Sequence, residues 1–123
     1  MSKILDVKEL NVSFNVNKNN IEAVRNSTFT ISKGKTLAIV GESGSGKSVT
    51  ALSILKLLSQ NSKTTISGKI IFKNKDILSI PEKKLMDIRG KKISMIFQEP
   101  MTSLNPLHTI KKQIIECLEN DVN

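Results

Sequence analysis

The segment Thr36-Leu37-Ala38-Ile39-Val40-Gly41-Glu42-Ser43-Gly44-Ser45-Gly46-Lys47-Ser48 decides how the rest of this 123-residue chain is read. Its first five residues form a short apolar run, too compact for a helix and suited to a strand in a sheet covered on both faces. The next eight fit the phosphate-binding pattern G-x-x-x-x-G-K-[ST], which arises by chance in a chain of this length on the order of once in several hundred. Downstream, Val49, Ala51, Leu52, Ile54, Leu55, Leu57 and Leu58 wrap most of a helix, which is therefore expected to be buried. Strand, glycine loop and helix in that order are the setting the pattern requires. Gly41, Gly44 and Gly46 let the backbone curl so that successive N–H groups point inward, and the helix adds its positive end. Lys47 is then expected to reach the β and γ phosphates of a nucleotide, and Ser48 to place its hydroxyl on Mg²⁺. Glu42, Ser43, Ser45 and Val49 complete the expected nucleotide-contacting set.

Working outward, residues 10–17 alternate, with Leu10, Val12, Phe14 and Val16 on one face and Asn11, Ser13, Asn15 and Asn17 on the other. That period of two predicts a half-buried strand. Residues 18–20 interrupt it, and 21–31 resume as an extended segment able to pair back as a hairpin, although no ordinary two-residue turn signal joins them. On the other side of the loop, Ile66, Gly68, Ile70 and Phe72 mark a second half-exposed strand. Ser79 with Glu82 three residues later predicts a capped helix ending near Arg89-Gly90. Residues 92–97 read as a strand and 98–106 as a loop broken by Pro100 and Pro106. Ile110, Ile114 and Leu118 trace one face of a last helix starting near Thr109.

The charge pattern excludes several other readings. There are 19 Lys plus Arg against 11 Asp plus Glu, a formal charge of +8, but all the basic residues except Arg25 and Arg89 are lysines. With four Phe as the only aromatics, the interleaving of arginine and stacking rings suited to nucleic acid is missing, so no specific nucleic-acid partner is expected. The lone Cys117 has no partner for an internal disulfide and reads as a semi-buried small apolar side chain. The N-terminal residues lack a secretory signal and no apolar run approaches the roughly 20 residues of a membrane helix, which places the chain in the cytoplasm or facing it.

Hydrolysis of a nucleotide also needs an acidic, metal-positioning group, typically at the end of another buried strand. Asp76, Asp87 and Asp121 follow mixed or helical stretches and read as structural, whereas Glu99 follows Ile93-Ser94-Met95-Ile96-Phe97-Gln98 and reaches a loop edge.

Three stretches together carry a resemblance: Gly-Glu-Ser-Gly-Ser-Gly-Lys-Ser-Val-Thr at 41–50, Ile-Arg-Gly at 88–90, and Ile-Phe-Gln-Glu-Pro-Met-Thr-Ser-Leu-Asn-Pro at 96–106. On these the chain resembles the ATP-binding subunit of ABC transporters, in the oligopeptide, dipeptide and nickel importer branch, with Glu99 where that branch commonly has Asp. The resemblance implies an α/β P-loop NTPase fold of the ABC ATPase type, incomplete, with an antiparallel N-terminal β region. Residues 1–123 correspond to the first half of the family's ATP-binding domain. They lack the Leu-Ser-Gly-Gly-Gln signature, the Walker B strand with its Asp and Glu, the D-loop and the switch histidine. His108, beside Pro106, reads as a loop or cap residue.

By the same resemblance Gln98 is the Q-loop glutamine, sensing Mg²⁺ and the γ-phosphate and acting with Lys47 in the ATP cycle. The implied cofactors are ATP and Mg²⁺. The implied partners are membrane-spanning transporter subunits, a second ATP-binding subunit in a head-to-tail dimer and, indirectly, a solute-binding protein. The implied location is the cytoplasmic face of the cell membrane. The alternative is a nucleotide-binding or regulatory fragment that does not hydrolyse. Family members often stack the base on an aromatic upstream of the phosphate loop. Residues 18–21 supply none, and Ile21 offers an apolar contact instead.

Overall fold

A computed structural model of the chain describes residues 2–42, 44–58, 63–98 and 104–122. Ser43 and residues 99–103, including Glu99 and Pro100, lie outside the described residues. The chain divides into two units, Met1–Leu85 and Met86–Asn123.

The first unit is built on a sheet of four antiparallel strands, β1 (Lys3–Val16), β2 (Asn19–Ser32), β3 (Thr64–Phe72) and β4 (Lys75–Asp76), in the order β2-β1-β3-β4. The alternation of β1 reaches further upstream than residue 10: Leu5, Val7, Leu10 and Val12 are all buried. The spacing of three between Val7 and Leu10 is made possible by a bulge. Glu9 takes φ 48, and the register with both neighbouring strands slips at this point. Opposite it, Gly68 adopts φ 104, and a Cβ there would collide with the carbonyl oxygens of Lys8 and Glu9. The bulge thus restores the inward phase of Leu10 and Val12 after an extra residue. Ile70, Phe72 and Ile77 close the same core, with Leu85 of helix α2 (Glu82–Met86) buried as well.

The β1–β2 hairpin turns through Asn17 and Lys18, which take φ 50 and 66 and bring Val16 opposite Asn19. Two left-handed residues in succession are the backbone of the tight turn that matches strand twist, and Asn is one of the residues that tolerates it. Lys73-Asn74 repeats the device between β3 and β4, with φ 47 and 68.

Several expected elements differ from the structure, among them helix α2, which ends at Met86 and not near Arg89-Gly90. Residues 36–40 form no strand: Leu37, Ile39 and Val40 are exposed, Val40 at 88%, because no strand among the described residues pairs with this segment. An apolar run becomes a strand only when a ladder satisfies its backbone. Residues 92–97 likewise make a single bridge, Arg89 to Ile93, and leave Ile96 98% exposed. Finally, Ser79 does not cap α2. Its hydroxyl donates to Asp76 Oδ2 at 3.0 Å, while Asp76 Oδ1 accepts the N–H groups of Leu78 and Ile70 at 3.1 and 3.3 Å. The carboxylate ties the turn after β4 back to β3, and the Pro81 carbonyl accepts the first helical bonds instead.

Helix α1 (Lys47–Ile54) is shorter than the apolar run implies and only half-buried, with Thr50, Ser53 and the flanking Leu55 as its buried members. Both hydroxyls donate up the helix, Thr50 to the Gly46 carbonyl at 2.8 Å and Ser53 to Val49 at 2.7 Å, so neither is buried unpaired. The stop has a clear cause. Leu57 N–H bonds the Leu52 carbonyl, Lys56 N–H bonds Ser53, and Lys56 takes φ 51, the closing arrangement of a Schellman motif.

In the second unit, Thr109 Oγ1 accepts the Lys112 N–H at 3.2 Å and starts helix α3 (Ile110–Val122) as expected. Gln113 holds the preceding loop, accepting from Asn105 N–H at 2.8 Å and donating to the Asn105 and His108 carbonyls. His108 is therefore a loop residue whose main chain anchors the helix entry. Ile110, Ile114 and Leu118 share a face of α3 that is exposed.

Candidate functional site

The phosphate-pattern loop sits at the head of α1 in the first unit, and its shape follows from its glycines. Gly46 is the N-cap, in a left-handed conformation of φ 92, and a Cβ at this position would collide with the carbonyl oxygen of Ala23 on β2. Only glycine lets the start of the helix press this closely against the strand. Because the cap carries no side chain, the N–H groups at the start of α1 receive no side-chain acceptor from it, and they present the positive end of the helix to the loop.

Lys47 folds back over the loop. Its ammonium donates to the carbonyls of Gly41 and Glu42, the latter at 2.9 Å, and lies 3.5 Å from Ser45 Oγ. Ser45 N–H in turn bonds the Glu42 carbonyl at 3.1 Å, closing the turn beneath it. Gly41, Glu42, Gly44, Ser45, Gly46, Lys47, Ser48 and Val49 thus belong to one contiguous loop and helix start. Ser48 is exposed, which leaves its hydroxyl accessible to a ligand or ion, and Val49 is half-buried.

A cavity of about 630 Å³ opens beside this loop, within the size range of small-molecule and nucleotide sites. One wall is the 44–47 backbone and Thr50, another the 37–40 segment, and the third the outer edge of β2 from Glu22 to Arg25 with Phe29. The third wall is the part that sequence reasoning missed. The Ile21 side chain, expected as the apolar contact, is exposed and lies outside the lining, whose apolar surface on β2 comes from Ala23, Val24 and Phe29. Strand β2 slips register twice, between the pairs Leu10–Ser27 and Val12–Val24, and again before Ser13–Glu22, so no regular alternation marks which of its residues line the cavity. An asparagine able to adopt φ 46, Asn26, was the one local signal of such a break.

Gln98 is exposed and belongs to the second unit, at the end of the irregular 94–98 stretch. Among the described residues no group of three or more His, Cys, Asp or Glu side chains is placed to hold a metal ion. Cys117 is exposed on α3 and not semi-buried as expected, and no helix among the described residues is long and apolar enough to cross a membrane.

Comparison with known proteins adds an independent line. Residues 24–122 match the family described as ABC transporter. The chain is 48% identical over 118 residues to the oligopeptide transport ATP-binding protein OppD of Bacillus subtilis, covering 96% of this chain and 33% of that protein. It is 50% identical over 118 residues to the dipeptide transport ATP-binding protein DppD of the same organism, covering 96% and 35%. To the peptidoglycan transport ATP-binding protein YejF of Agrobacterium fabrum it is 54% identical over 116 residues, covering 94% of this chain and 21% of the relative. The chain therefore spans about a third or less of the length of these curated relatives.

Proposed function

We propose a nucleotide-binding function for this chain, which belongs to the ABC transporter family with the fold of its P-loop NTPase domain. Loop 41–48 binds the phosphates of ATP, as part of a motor that drives peptide import. The observation that carries the reading is the position of Lys47: a single ammonium held over a glycine loop at the head of a helix, beside a nucleotide-sized cavity. Polyphosphate oxygens can replace the two carbonyls as its acceptors, and the gain is large because the new partners are charged. The loop's N–H groups and the helix end favour the same anion. Ser48, exposed at the first turn, would hold Mg²⁺, which supplies charge neutralisation of the phosphates when bound. Gln98 would act as the sensor of that ion and of the γ-phosphate.

The names of the relatives support peptides as the solute class. Family membership supports membrane-spanning subunits as partners, and the proposed assembly adds a second ATP-binding subunit and, indirectly, a solute-binding protein, with the chain at the cytoplasmic face of the membrane. A second reading is binding without turnover by this span alone. It is favoured by the engagement of the cavity's carboxylate, Glu22, by Arg25 at 2.7 Å.

Calorimetry with Mg-ATP on the wild-type chain and on Lys47→Ala tests the proposal. Removing the charge that the phosphates require should weaken binding at least about tenfold. Equal affinity of the two proteins would reject the site. Phosphate release measured on the same samples separates the two readings: sustained turnover favours the motor, and binding without release favours the second.

A further inference from the structure

Gly46, the N-cap of α1, is held from two sides by groups that the phosphate pattern does not include. On the helix side is Thr50, 6% exposed and part of the cavity wall. The Gly46 carbonyl accepts two bonds from this one residue, from its N–H at 2.9 Å and from its hydroxyl at 2.8 Å. The first is the ordinary helical bond, and the second occupies the carbonyl's other lone pair. On the strand side is Ala23. It falls between the pairs Val12–Val24 and Ser13–Glu22, so it is the extra residue of a bulge. Its carbonyl oxygen faces Gly46 so closely that no Cβ fits between them. The cap is thereby wedged between a strand and the first turn of its own helix.

The direction of one peptide depends on this arrangement. A peptide unit is planar and trans, so the N–H of Lys47 points opposite to the Gly46 carbonyl. With the carbonyl drawn along the helix towards Thr50, the N–H is aimed out of the helix end and into the loop. It makes no hydrogen bond among the described residues, and is one of the donors that a helix start leaves for an anion. We propose that Thr50 is a positioning residue for phosphate binding: its hydroxyl fixes the Gly46–Lys47 peptide so that this N–H meets a phosphate oxygen without reorganisation. This rests on the reading that loop 41–48 binds the phosphates. Ser53 shows what a hydroxyl of the same kind does without that task. It is fully buried and donates to the Val49 carbonyl at 2.7 Å, but the N–H in that peptide belongs to Thr50 and is already bonded to Gly46.

Mg-ATP and inorganic tripolyphosphate with Mg²⁺, titrated by calorimetry into the 123-residue chain, are the probes. Thr50→Val keeps the volume and removes the hydroxyl, and should weaken both ligands about three- to tenfold. Thr50→Ser keeps the hydroxyl and should bind both within about twofold of wild type. Ser53→Ala removes the matching bond further along the helix and should leave both affinities unchanged, whatever stability it loses in urea. An affinity loss in Ser53→Ala equal to that in Thr50→Val would reduce the hydroxyl to a helix-stabilising role and overturn the proposal. So would unchanged affinity in Thr50→Val, failure of serine to preserve binding, or a loss confined to ATP, which would place the effect away from the phosphates. If Thr50→Val does not fold, the pair Thr50→Ala and Thr50→Ser, which differ by one oxygen, carries the same expectations. Failure of the folded wild type to bind either ligand, or undiminished affinity in Lys47→Ala, would reject the phosphate site and the positioning role with it.

Discussion

Strand β1 and the segment 36–40 are both rich in branched apolar residues, yet one is a strand paired along both edges and the other is an exposed, irregular stretch. β1 lies between β2 and β3, with Leu5, Val7, Leu10 and Val12 buried beneath it. The 36–40 segment has no ladder among the described residues and lines an open cavity instead. The difference teaches that side-chain pattern proposes a strand and pairing makes one. Central strands of a two-sided sheet depend on neighbours far more than the strands of a hairpin, which bring their own partner a turn away.

Core truncations sharpen this comparison with the largest expected effect. Ile70 is fully buried against β1, so Ile70→Ala should destabilise the first unit by about 2–5 kcal/mol. Ile39→Ala, in the exposed segment, should cost less than about 1 kcal/mol. Urea unfolding of the two variants is the measurement. A loss at Ile39 comparable to that at Ile70 would mean that 36–40 is packed in solution and that the contrast between the two regions fails.

The next effect concerns how β1 keeps its phase. Gly68→Ala forces a side chain into a φ of 104 and against two carbonyl oxygens of the bulge, so a loss of about 1–3 kcal/mol is expected in the same unfolding assay. If alanine is tolerated without loss, the bulge at Glu9 does not hold the register of Leu10 and Val12.

How much of this was legible in the sequence depends on the range of the interactions involved. The alternation at Leu10, Val12, Phe14 and Val16 and that at Ile66, Ile70 and Phe72 are local signals, and both became strands. The glycine loop was equally local: Gly44, Ser45 and Gly46 lead directly into Lys47 and Ser48 at the head of α1. The start of the last helix near Thr109 was readable too, because the i, i+4, i+8 face of Ile110, Ile114 and Leu118 is a local signal. Beyond the asparagine at position 26, the bulges were not readable. Glu9 and Asn26 take left-handed conformations only because Gly68 and Asn11 stand opposite them on other strands, and no window along the chain joins those positions. The Glu22–Arg25 wall of the candidate site was hidden for the same reason. Ser79 misled because its hydroxyl is turned to donate to the Asp76 carboxylate and is not used to accept the N–H groups at the start of α2.

The end of α1 provides the smallest and most local test. The apolar run continues to Leu58, so side-chain pattern alone would carry the helix on, and the Schellman bonds of Lys56 and Leu57 end it earlier. Lys56 meets that geometry at φ 51, where a Cβ is crowded and glycine is not. Lys56→Gly should therefore stabilise the first unit by about 0.5–1 kcal/mol, since relief of the left-handed strain exceeds the added entropy of the unfolded chain. Lys56→Ala keeps the Cβ and should give no gain. A midpoint shift upward in urea for glycine alone would place the helix stop in the backbone of residues 52–57. A loss of stability with glycine would instead mean that the lysine side chain contributes more than its conformation costs, and that the boundary between ordered helix and open segment is set by side-chain contacts after all.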